Sequence, residues 1–219
     1  MIGVAVEFVK RTNLPRGPGK NKHQVRTEET QAKILQAAEA TFSEQGFEKT
    51  QLEEVAARAG YTRGAIYAHY ASKEDLFLAL MEHRVLKKFI AIRQVIEAEP
   101  EISRRPAILK EWLTAQLSDH ASGTLMLEFK LYALRRPASR EKLQNMYDLI
   151  FKSSGRDFIE ALFGENLDKA ARAGVERRLA IMGAVLSAAI LESHFRPKLL
   201  TKQHMQGLLE DLYDALVHV

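Results

Sequence analysis

The chain has 219 residues, of which 46% are apolar and 27% are charged, and this length and composition suit one large or two small globular domains. It contains no cysteine, which excludes a disulfide framework, a cysteine nucleophile and a cysteine-ligated metal site. No apolar run approaches the roughly 18 residues of a membrane-spanning helix, and no signal peptide is evident. We therefore expect a cytoplasmic protein that does not enter a membrane.

The positive charge of the chain lies at its amino terminus. The net charge is +4, and residues 1–26 alone carry +5, because six basic residues stand there against Glu7. The six are Lys10, Arg11, Arg16, Lys20, Lys22 and Arg26. With its prolines and glycines, this stretch is predicted to be a basic flexible extension. It is either a solvated arm or an arm that neutralises nucleic-acid phosphates.

The first predicted helix covers residues 28–45, with Thr27 as its N-cap and an apolar face at spacings of three and four residues. Gly46 follows at a position that favours positive φ. Residues Thr50 to Glu53 fit a capping box that opens the second helix. That helix is predicted to end at Gly60.

The third helix is predicted to begin after Thr62, and Ser72 is the predicted N-cap of a long fourth helix that ends near Ala98. Two short helices joined by a turn, after a longer supporting helix, form the helix-turn-helix pattern. From Arg58 to Lys73 there are three basic residues and no acid. The sequence thus predicts a third helix whose outer face enters the major groove of DNA. The alternative is a small helical bundle whose surface lacks acids at this place.

The stretch from Ile34 to Phe77 resembles the TetR family of bacterial transcriptional regulators. The resemblance is carried by Thr62-Arg63-Gly64-Ala65-Ile66-Tyr67, His69-Tyr70 and Lys73-Glu74-Asp75-Leu76-Phe77, whereas Tyr61 and Ala68 depart from the family pattern. The resemblance implies a homodimer that binds a palindromic operator on double-stranded DNA, a repressor that a small-molecule effector releases. The alternative is a DNA-binding regulator or activator without an effector.

The resemblance also implies roles for single residues. Arg63 is the candidate for a bidentate contact with guanine, and Gly64 and Ala65 allow the backbone to approach the duplex. The candidates for phosphate or backbone contacts are Thr50, Gln51, Thr62, Tyr67, His69 and Lys73. For Thr50, the capping role by itself is a sufficient explanation.

The overall prediction is an all-α fold with three parts: the extension over residues 1–26, a helix-turn-helix DNA-binding domain over 27–75, and an effector-binding and dimerisation domain over 76–219. In the last part we predict helices at 106–119, 125–135, 139–163, 175–195 and 201–219. The last two carry stripes that suit a four-helix dimer interface or, alternatively, the intrachain core. The stripe residues are Ala180, Ala184, Ser187, Ala188, Leu208, Leu209, Leu212 and Leu216.

An effector pocket between the helices of the third part is the remaining prediction, and the effector is expected to be partly apolar. The candidate wall residues, for which plain core is the commoner explanation, are Trp112, Gln116, His120, Met126, Phe129, Tyr132, Tyr147, Phe151, Met182 and Glu192. Glu128 and Glu192 interrupt apolar helices and either pair a ligand group or face solvent.

An enzyme is not expected. The histidines are scattered, and the chain has no metalloprotease pair, nucleophile elbow or phosphate loop. We predict no metal and no cofactor. A helical protein–protein adaptor is the second alternative, and it would show no salt-dependent binding to duplex DNA.

Overall fold

A computed structural model describes residues 21–117, 120–150, 156–164 and 167–217 of the chain. These residues form α-helices and one 3-10 segment, Ile102–Arg104, and no strand occurs among them, so the predicted all-α fold class is confirmed. The helices are α1 Lys22–Lys49, α2 Leu52–Ala59, α3 Arg63–His69, α4 Lys73–Ala98, α5 Arg105–Gln116, α6 His120–Leu134, α7 Pro137–Ile150, α8 Arg156–Phe163, α9 Lys169–Phe195 and α10 Lys202–Val217.

The chain divides into two compact units. Among the described residues, unit 1 comprises 21–86 together with Glu128–Ile150, and unit 2 comprises 87–117, 120–127, 156–164 and 167–217. The division therefore falls inside α4 and inside α6. The predicted functional boundary between residues 75 and 76 stays a prediction.

Helix α1 begins six residues before the predicted start. The backbone N–H of Asn21 donates to the Gln24 side chain at 3.2 Å, and the N–H of Val25 donates to the Asn21 carbonyl at 3.1 Å. Asn21 and Gln24 thus form a capping pair at the spacing of three residues that a helix start favours. The prediction of Thr27 as N-cap is wrong, because Thr27 lies inside this helix. The earlier part of the predicted extension lies outside the described residues.

The head of the protein is formed by α1, α2 and α3, and both of its turns are made by glycines with positive φ. Positive φ was predicted for Gly46, whereas Gly60 was predicted only as the end of α2. Gly46 has φ +78° and ψ 172° and interrupts α1, while Gly60 has φ +74° and caps α2 in the left-handed conformation. The predicted capping box at Thr50 is wrong. Gln51 is the N-cap of α2 without a side-chain bond, and the buried Thr50 hydroxyl instead donates to the Gly46 carbonyl at 2.7 Å.

The predicted caps at Thr62 and Ser72 are confirmed. The Thr62 hydroxyl accepts from the N–H of Ala65 at 3.2 Å, and the Ser72 hydroxyl accepts from the N–H of Asp75 at 3.1 Å. Each bond satisfies a backbone donor that the first turn of a helix leaves free. Helices α3 and α4 therefore begin at positions fixed by their own sequence.

Unit 1 is centred on an aromatic cluster that links α1, α4 and α6. Phe47 lies with ring centroids 5.0 Å from Phe77 and 4.9 Å from Phe129, both edge-on, and Phe42 lies 5.2 Å from Phe77. All four rings are fully buried, and edge-to-face packing adds to the stabilisation from burial. This cluster packs α1, α4 and α6 against one another.

Unit 2 has its own core, to which α4, α5, α8, α9 and α10 contribute. The Tyr213 hydroxyl donates to the Pro106 carbonyl at 2.5 Å and ties α10 to the start of α5. Helix α9 begins at Lys169, earlier than predicted, because the Asp168 carboxylate caps it by accepting from the N–H of Ala171 at 2.8 Å. No helix in the described part of the chain is both long enough and apolar enough to cross a membrane.

Candidate nucleic-acid interface

Helix α3 presents one face to the core and the other to solvent. Ile66 is fully buried, whereas Arg63 is exposed and Tyr67 is 42% exposed. Because residues four apart lie on the same helix face, Arg63 and Tyr67 stand together on the outer surface. The outer face thus carries a guanidinium and a phenol, groups that donate hydrogen bonds to base edges and phosphates.

Arg63 is held along this outer face by two neighbours. Its Nη1 lies 2.9 Å from Oε1 of Glu53, and its Nη2 donates to the Tyr67 hydroxyl at 3.5 Å. The hydrogen bond with Tyr67 and the charge of Glu53 raise the pKa of Arg63. Since the Arg63 and Glu53 side chains are 64% and 49% exposed, their ion pair is weak. The guanidinium is therefore free to exchange Glu53 for a guanine edge.

Gly64 lies beside Arg63 at the start of α3 and is exposed. A Cβ built on Gly64 would meet only the Thr62 hydroxyl, at 3.8 Å, and the φ of Gly64 is not positive. The fold thus has no internal need for glycine here, and the close approach of this backbone to a duplex stays a prediction. Ala65, next along the helix, is half-buried.

Lys73 holds the head together in addition to its predicted role at phosphates. Its Nζ donates to the Glu48 carbonyl at 2.8 Å and lies 4.9 Å from the centroid of the Phe47 ring. Burial lowers the pKa of Lys73, against the opposing charges of Glu74 and Glu48. Its ammonium thereby stabilises the carboxyl end of α1.

The other predicted contacts differ in exposure. Thr50 is fully buried with its hydroxyl bonded to Gly46, so its side chain reaches no phosphate, and the prediction of a backbone contact by this side chain is wrong. Gln51 and Thr62 are exposed, and His69 is half-buried beside Tyr70. For these three residues the DNA contact stays a prediction.

Two residues predicted for the effector site contact α1 and α4 within unit 1. Phe129 is fully buried in the aromatic cluster, and the Tyr132 hydroxyl donates to Oε1 of Glu74 at 2.5 Å. Glu128 likewise faces neither a ligand nor only solvent, because its Oε2 accepts from the N–H of Phe47 at 2.8 Å. The sequence carried no signal for these contacts, which join residues far apart in the chain.

The ten predicted pocket residues are divided between the units. Phe129, Tyr132 and Tyr147 belong to unit 1, and Trp112, Gln116, Met126, Met182 and Glu192 belong to unit 2. Phe151 and the side chain of His120 lie outside the described residues. Met182 is buried in the unit 2 core, Trp112 packs against that core, and the exposed Glu192 lies 3.7 Å from Arg196. The ten residues therefore do not form one pocket wall within either unit.

The predicted interface stripe of α9 lies on its outer face. Ala180, Ala184 and Ala188 are exposed, and the Ser187 hydroxyl is bonded back to the Gly183 carbonyl at 2.8 Å. Unit 2 also has exposed large apolar side chains, Ile181 and Phe195 on α9 and Leu199 after it.

The predicted stripe of α10 is split between two faces. Leu208 is 43% exposed, whereas Leu209 is 1% exposed and packs in the unit 2 core. The placement of Leu209 in a dimer interface is therefore wrong, because its side chain is already used inside the chain. Leu212 is half-buried, and the side chain of Leu216 lies outside the described residues.

Comparison with known proteins shows which bacterial proteins this chain is similar to. Residues 34–80 match the model of the bacterial regulatory proteins, tetR family. The chain is 29% identical over 128 residues to the HTH-type transcriptional regulator YfiR of Bacillus subtilis. This alignment covers 58% of this chain and 62% of YfiR. The chain spans 37% and 55% of two further curated relatives from the same bacterium, so these alignments cover less than two thirds of each relative.

Solved structures share the fold over most of the chain. A TetR transcription regulator from Haloarcula marismortui has a TM-score of 0.61 at 17% identity, covering 86% of this chain and 98% of that one. FadR from Bacillus subtilis, in complex with stearoyl-CoA, has a TM-score of 0.54 at 17% identity, covering 85% and 97%. At these identities the likeness shows the fold alone.

Proposed function

Because the chain belongs to the TetR family of bacterial regulatory proteins, we propose that it is a transcriptional regulator whose homodimer binds a palindromic operator on double-stranded DNA. The observation that carries the proposal is the outer face of α3, where exposed Arg63 and Tyr67 stand on a helix anchored by buried Ile66. Family members are regulators and not enzymes. The expected chemistry is therefore recognition alone.

Base recognition is assigned to α3 and positioning to its surroundings. Arg63 donates two hydrogen bonds to O6 and N7 of one guanine in each half-site. Tyr67, Gln51, His69 and Thr62 bind phosphates or support the helix in the groove. Lys73 contributes positive charge near the same backbone while it holds the end of α1.

A homodimer is supported by the exposed surface of α9 and α10. The small residues of the α9 stripe allow another helix to approach closely, and Leu208 with Ile181 supplies apolar area. In an isologous interface each residue of this surface meets the same surface of the second copy. Two recognition helices then face two half-sites related by the same twofold axis.

Control by a partly apolar small molecule is the second element of the proposal. FadR, which shares the fold, was solved with stearoyl-CoA, and unit 2 of this chain has an apolar interior beside Trp112. Binding of the effector shifts the protein to a state with lower affinity for the operator, so that repression ends. An activator, or a regulator without an effector, is the alternative that the test separates.

The test uses DNA fragments that flank the protein's own coding region. We expect the protein to bind one fragment at nanomolar protein concentration, with two chains on each duplex. The affinity is expected to fall as the salt concentration rises. Trp112 is the single tryptophan, so stearoyl-CoA that enters unit 2 changes its fluorescence and releases the fragment. Retention of no fragment contradicts the DNA-binding proposal. Retention without release by any of a panel of apolar ligands favours the alternative.

A further inference from the structure

The corner between α1 and α2 is an unusual feature of the DNA-binding head. At Gly46 the backbone takes φ +78° and ψ 172°, and this ψ turns the N–H of Phe47 away from the axis of α1. Phe47 is fully buried, so its N–H requires an acceptor from elsewhere in the protein. How the corner satisfies its backbone groups therefore decides how the chain leaves α1.

Three side chains satisfy three successive residues of the corner. The Thr50 hydroxyl donates to the Gly46 carbonyl at 2.7 Å, and the Lys73 ammonium donates to the Glu48 carbonyl at 2.8 Å. Between them, the Phe47 N–H donates to the Glu128 carboxylate at 2.8 Å. A base thus holds a carbonyl and an acid holds an amide, which is the charge arrangement that strengthens each bond.

Of the three hydrogen bonds, the one between Phe47 and Glu128 joins the residues that lie farthest apart in the sequence. Glu128 lies on α6, 81 residues after Phe47, and a Cβ on Gly46 would lie 2.8 Å from its Oε2. Glycine at position 46 therefore serves the positive φ and also leaves room for this carboxylate. The next turn of α6 continues the contact, since the Tyr132 ring lies 4.8 Å from the Phe47 ring.

We propose that Glu128 is a positioning residue for DNA binding. By fixing the Phe47 amide, it sets the direction in which the chain enters α2, and through α2 it sets the orientation of α3. This inference rests on the proposed function, because it assigns to α6 a part in presenting Arg63 to the duplex. Glu128 itself touches no DNA.

Loss of the carboxylate leaves the corner with several competing conformations. A hydrogen bond to a charged group contributes roughly 10-fold or more to the preference for one conformation, and the apparent affinity is proportional to the fraction of molecules that adopt it. Because this bond is the contact that fixes the Phe47 amide, its loss is expected to lower that fraction to about one tenth. Glu128→Ala is therefore expected to weaken DNA binding by about 10-fold. Glu128→Gln keeps an oxygen acceptor at the same reach and is expected to stay within about 3-fold of the wild type.

The experiment measures two quantities on full-length protein well below its unfolding temperature. The first is affinity for a duplex selected from a random-sequence pool with the wild type, expressed per folded molecule. The second is hydrogen exchange at the Phe47 amide, which is expected to accelerate about 10-fold in Glu128→Ala. Glu141→Ala, at an exposed glutamate of α7 in the same unit, is the control and is expected to change neither quantity.

The outcomes separate the inference from the proposed function. If folded Glu128→Ala binds the duplex within 2-fold of the wild type, or if its Phe47 amide exchanges no faster, the positioning role is overturned. If Glu128→Ala does not fold, Glu128→Gln compared with Glu128→Lys carries the same test, because lysine offers no acceptor. A wild-type protein that enriches no duplex overturns the proposed function, and exchange at Phe47 then still decides whether Glu128 holds the corner.

Discussion

Gly64 separates the needs of the fold from the needs of DNA binding at the scale of one residue. Its surroundings accept a Cβ, and its φ is ordinary for a helix. Gly64→Ala is therefore expected to leave stability unchanged or to raise it by up to about 1 kcal/mol, because alanine is the better helix former. If the backbone approaches the duplex here, DNA affinity falls at the same time.

Thermal unfolding and duplex binding of Gly64→Ala measure the two effects. Gly60→Ala is the matched control, since Gly60 has φ +74° and open space around it. That change is expected to destabilise the fold by about 1–2 kcal/mol with little effect on the affinity of the folded protein. Equal DNA affinity of Gly64→Ala and the wild type would remove Gly64 from the interface.

Glu82 is a buried carboxyl group in the apolar part of α4 within unit 1, and burial raises its pKa to about 7. Because this pKa in the folded protein lies above the ordinary value of 4.5, the folded state binds more protons between the two values. The associated stability is present below about pH 4.5 and is lost as pH rises through about 7. At pH 8 the Glu82 carboxyl group is ionised in the folded protein, and the full cost of burying its charge lowers the free energy of unfolding.

Glu82→Gln removes this titration and is expected to reduce the loss of stability between pH 5 and pH 8 by up to about 3 kcal/mol. Urea unfolding at the two pH values measures it. Glu54→Gln, at an exposed position of α2, is expected to leave the difference as it is in the wild type. A pH dependence of Glu82→Gln equal to that of the wild type would show that Glu82 keeps its charge at little cost.

At the scale of elements, the apolar stripe of α10 contributes one residue to the core of the subunit and one to its surface. Leu208 is 43% exposed and Leu209 is 1% exposed, although the two are adjacent. Leu208→Glu is expected to give folded monomers that lose operator binding, because a carboxylate is costly in the interface but harmless in a free surface. Sedimentation, circular dichroism and duplex binding measure this together.

Leu209→Glu is the contrasting variant. It places a charge inside the unit 2 core, so it is expected to destabilise the subunit itself and not only the dimer. An intact Leu208→Glu dimer with normal DNA affinity would show that this face of α10 is not where the second copy binds.

Local sequence signals predicted which helices form better than they predicted where each helix begins and ends. The caps at Thr62 and Ser72 and the glycine turns at 46 and 60 follow from side chains and backbone conformations within a few residues. The start of α1 was missed because Asn21 and Gln24 lie in a stretch whose charge and prolines favoured an extension. The helix-turn-helix pattern followed from the same helices and the turn at Gly60, and the family resemblance agreed with it.

Contacts across long separations were the part that sequence could not predict. The role of Glu128 depends on Phe47, 81 residues earlier, and no periodicity in α6 distinguishes an acid that binds a backbone amide from one that faces solvent. Leu208 and Leu209 fit the same helical stripe, and only packing decides which of the two is core. Phe129 and Tyr132 carried the aromatic signature of a pocket and proved to support the head.

At the scale of the whole molecule, charge is the remaining variable. Four of the lysines and arginines, Lys10, Arg11, Arg16 and Lys20, precede the described residues. Deletion of residues 1–20 is expected to leave the helical content and the dimer intact. It is expected to weaken DNA binding at low salt and to flatten the log–log salt dependence by roughly two to four units, at about 0.9 per phosphate neutralised.

The base preference of the truncated protein is expected to be unchanged, because phosphate contacts position a protein without specifying sequence. A variant with these four residues replaced by glutamine separates charge from length. Identical salt slopes for the full-length and truncated proteins would establish the segment as a solvated arm.

Recognition of DNA bases by α3 of a homodimer depends on Arg63. Selection of bound sequences from a random duplex pool, with the wild type and with Arg63→Ala in parallel, measures this dependence. The wild type is predicted to enrich an inverted repeat with a guanine in each half-site. Arg63→Ala is predicted to lose roughly 5- to 150-fold in affinity for that repeat and its preference at the guanine. Enrichment of the same inverted repeat by Arg63→Ala would show that Arg63 does not recognise the guanine, and enrichment of no repeat by the wild type would show that α3 does not recognise an operator.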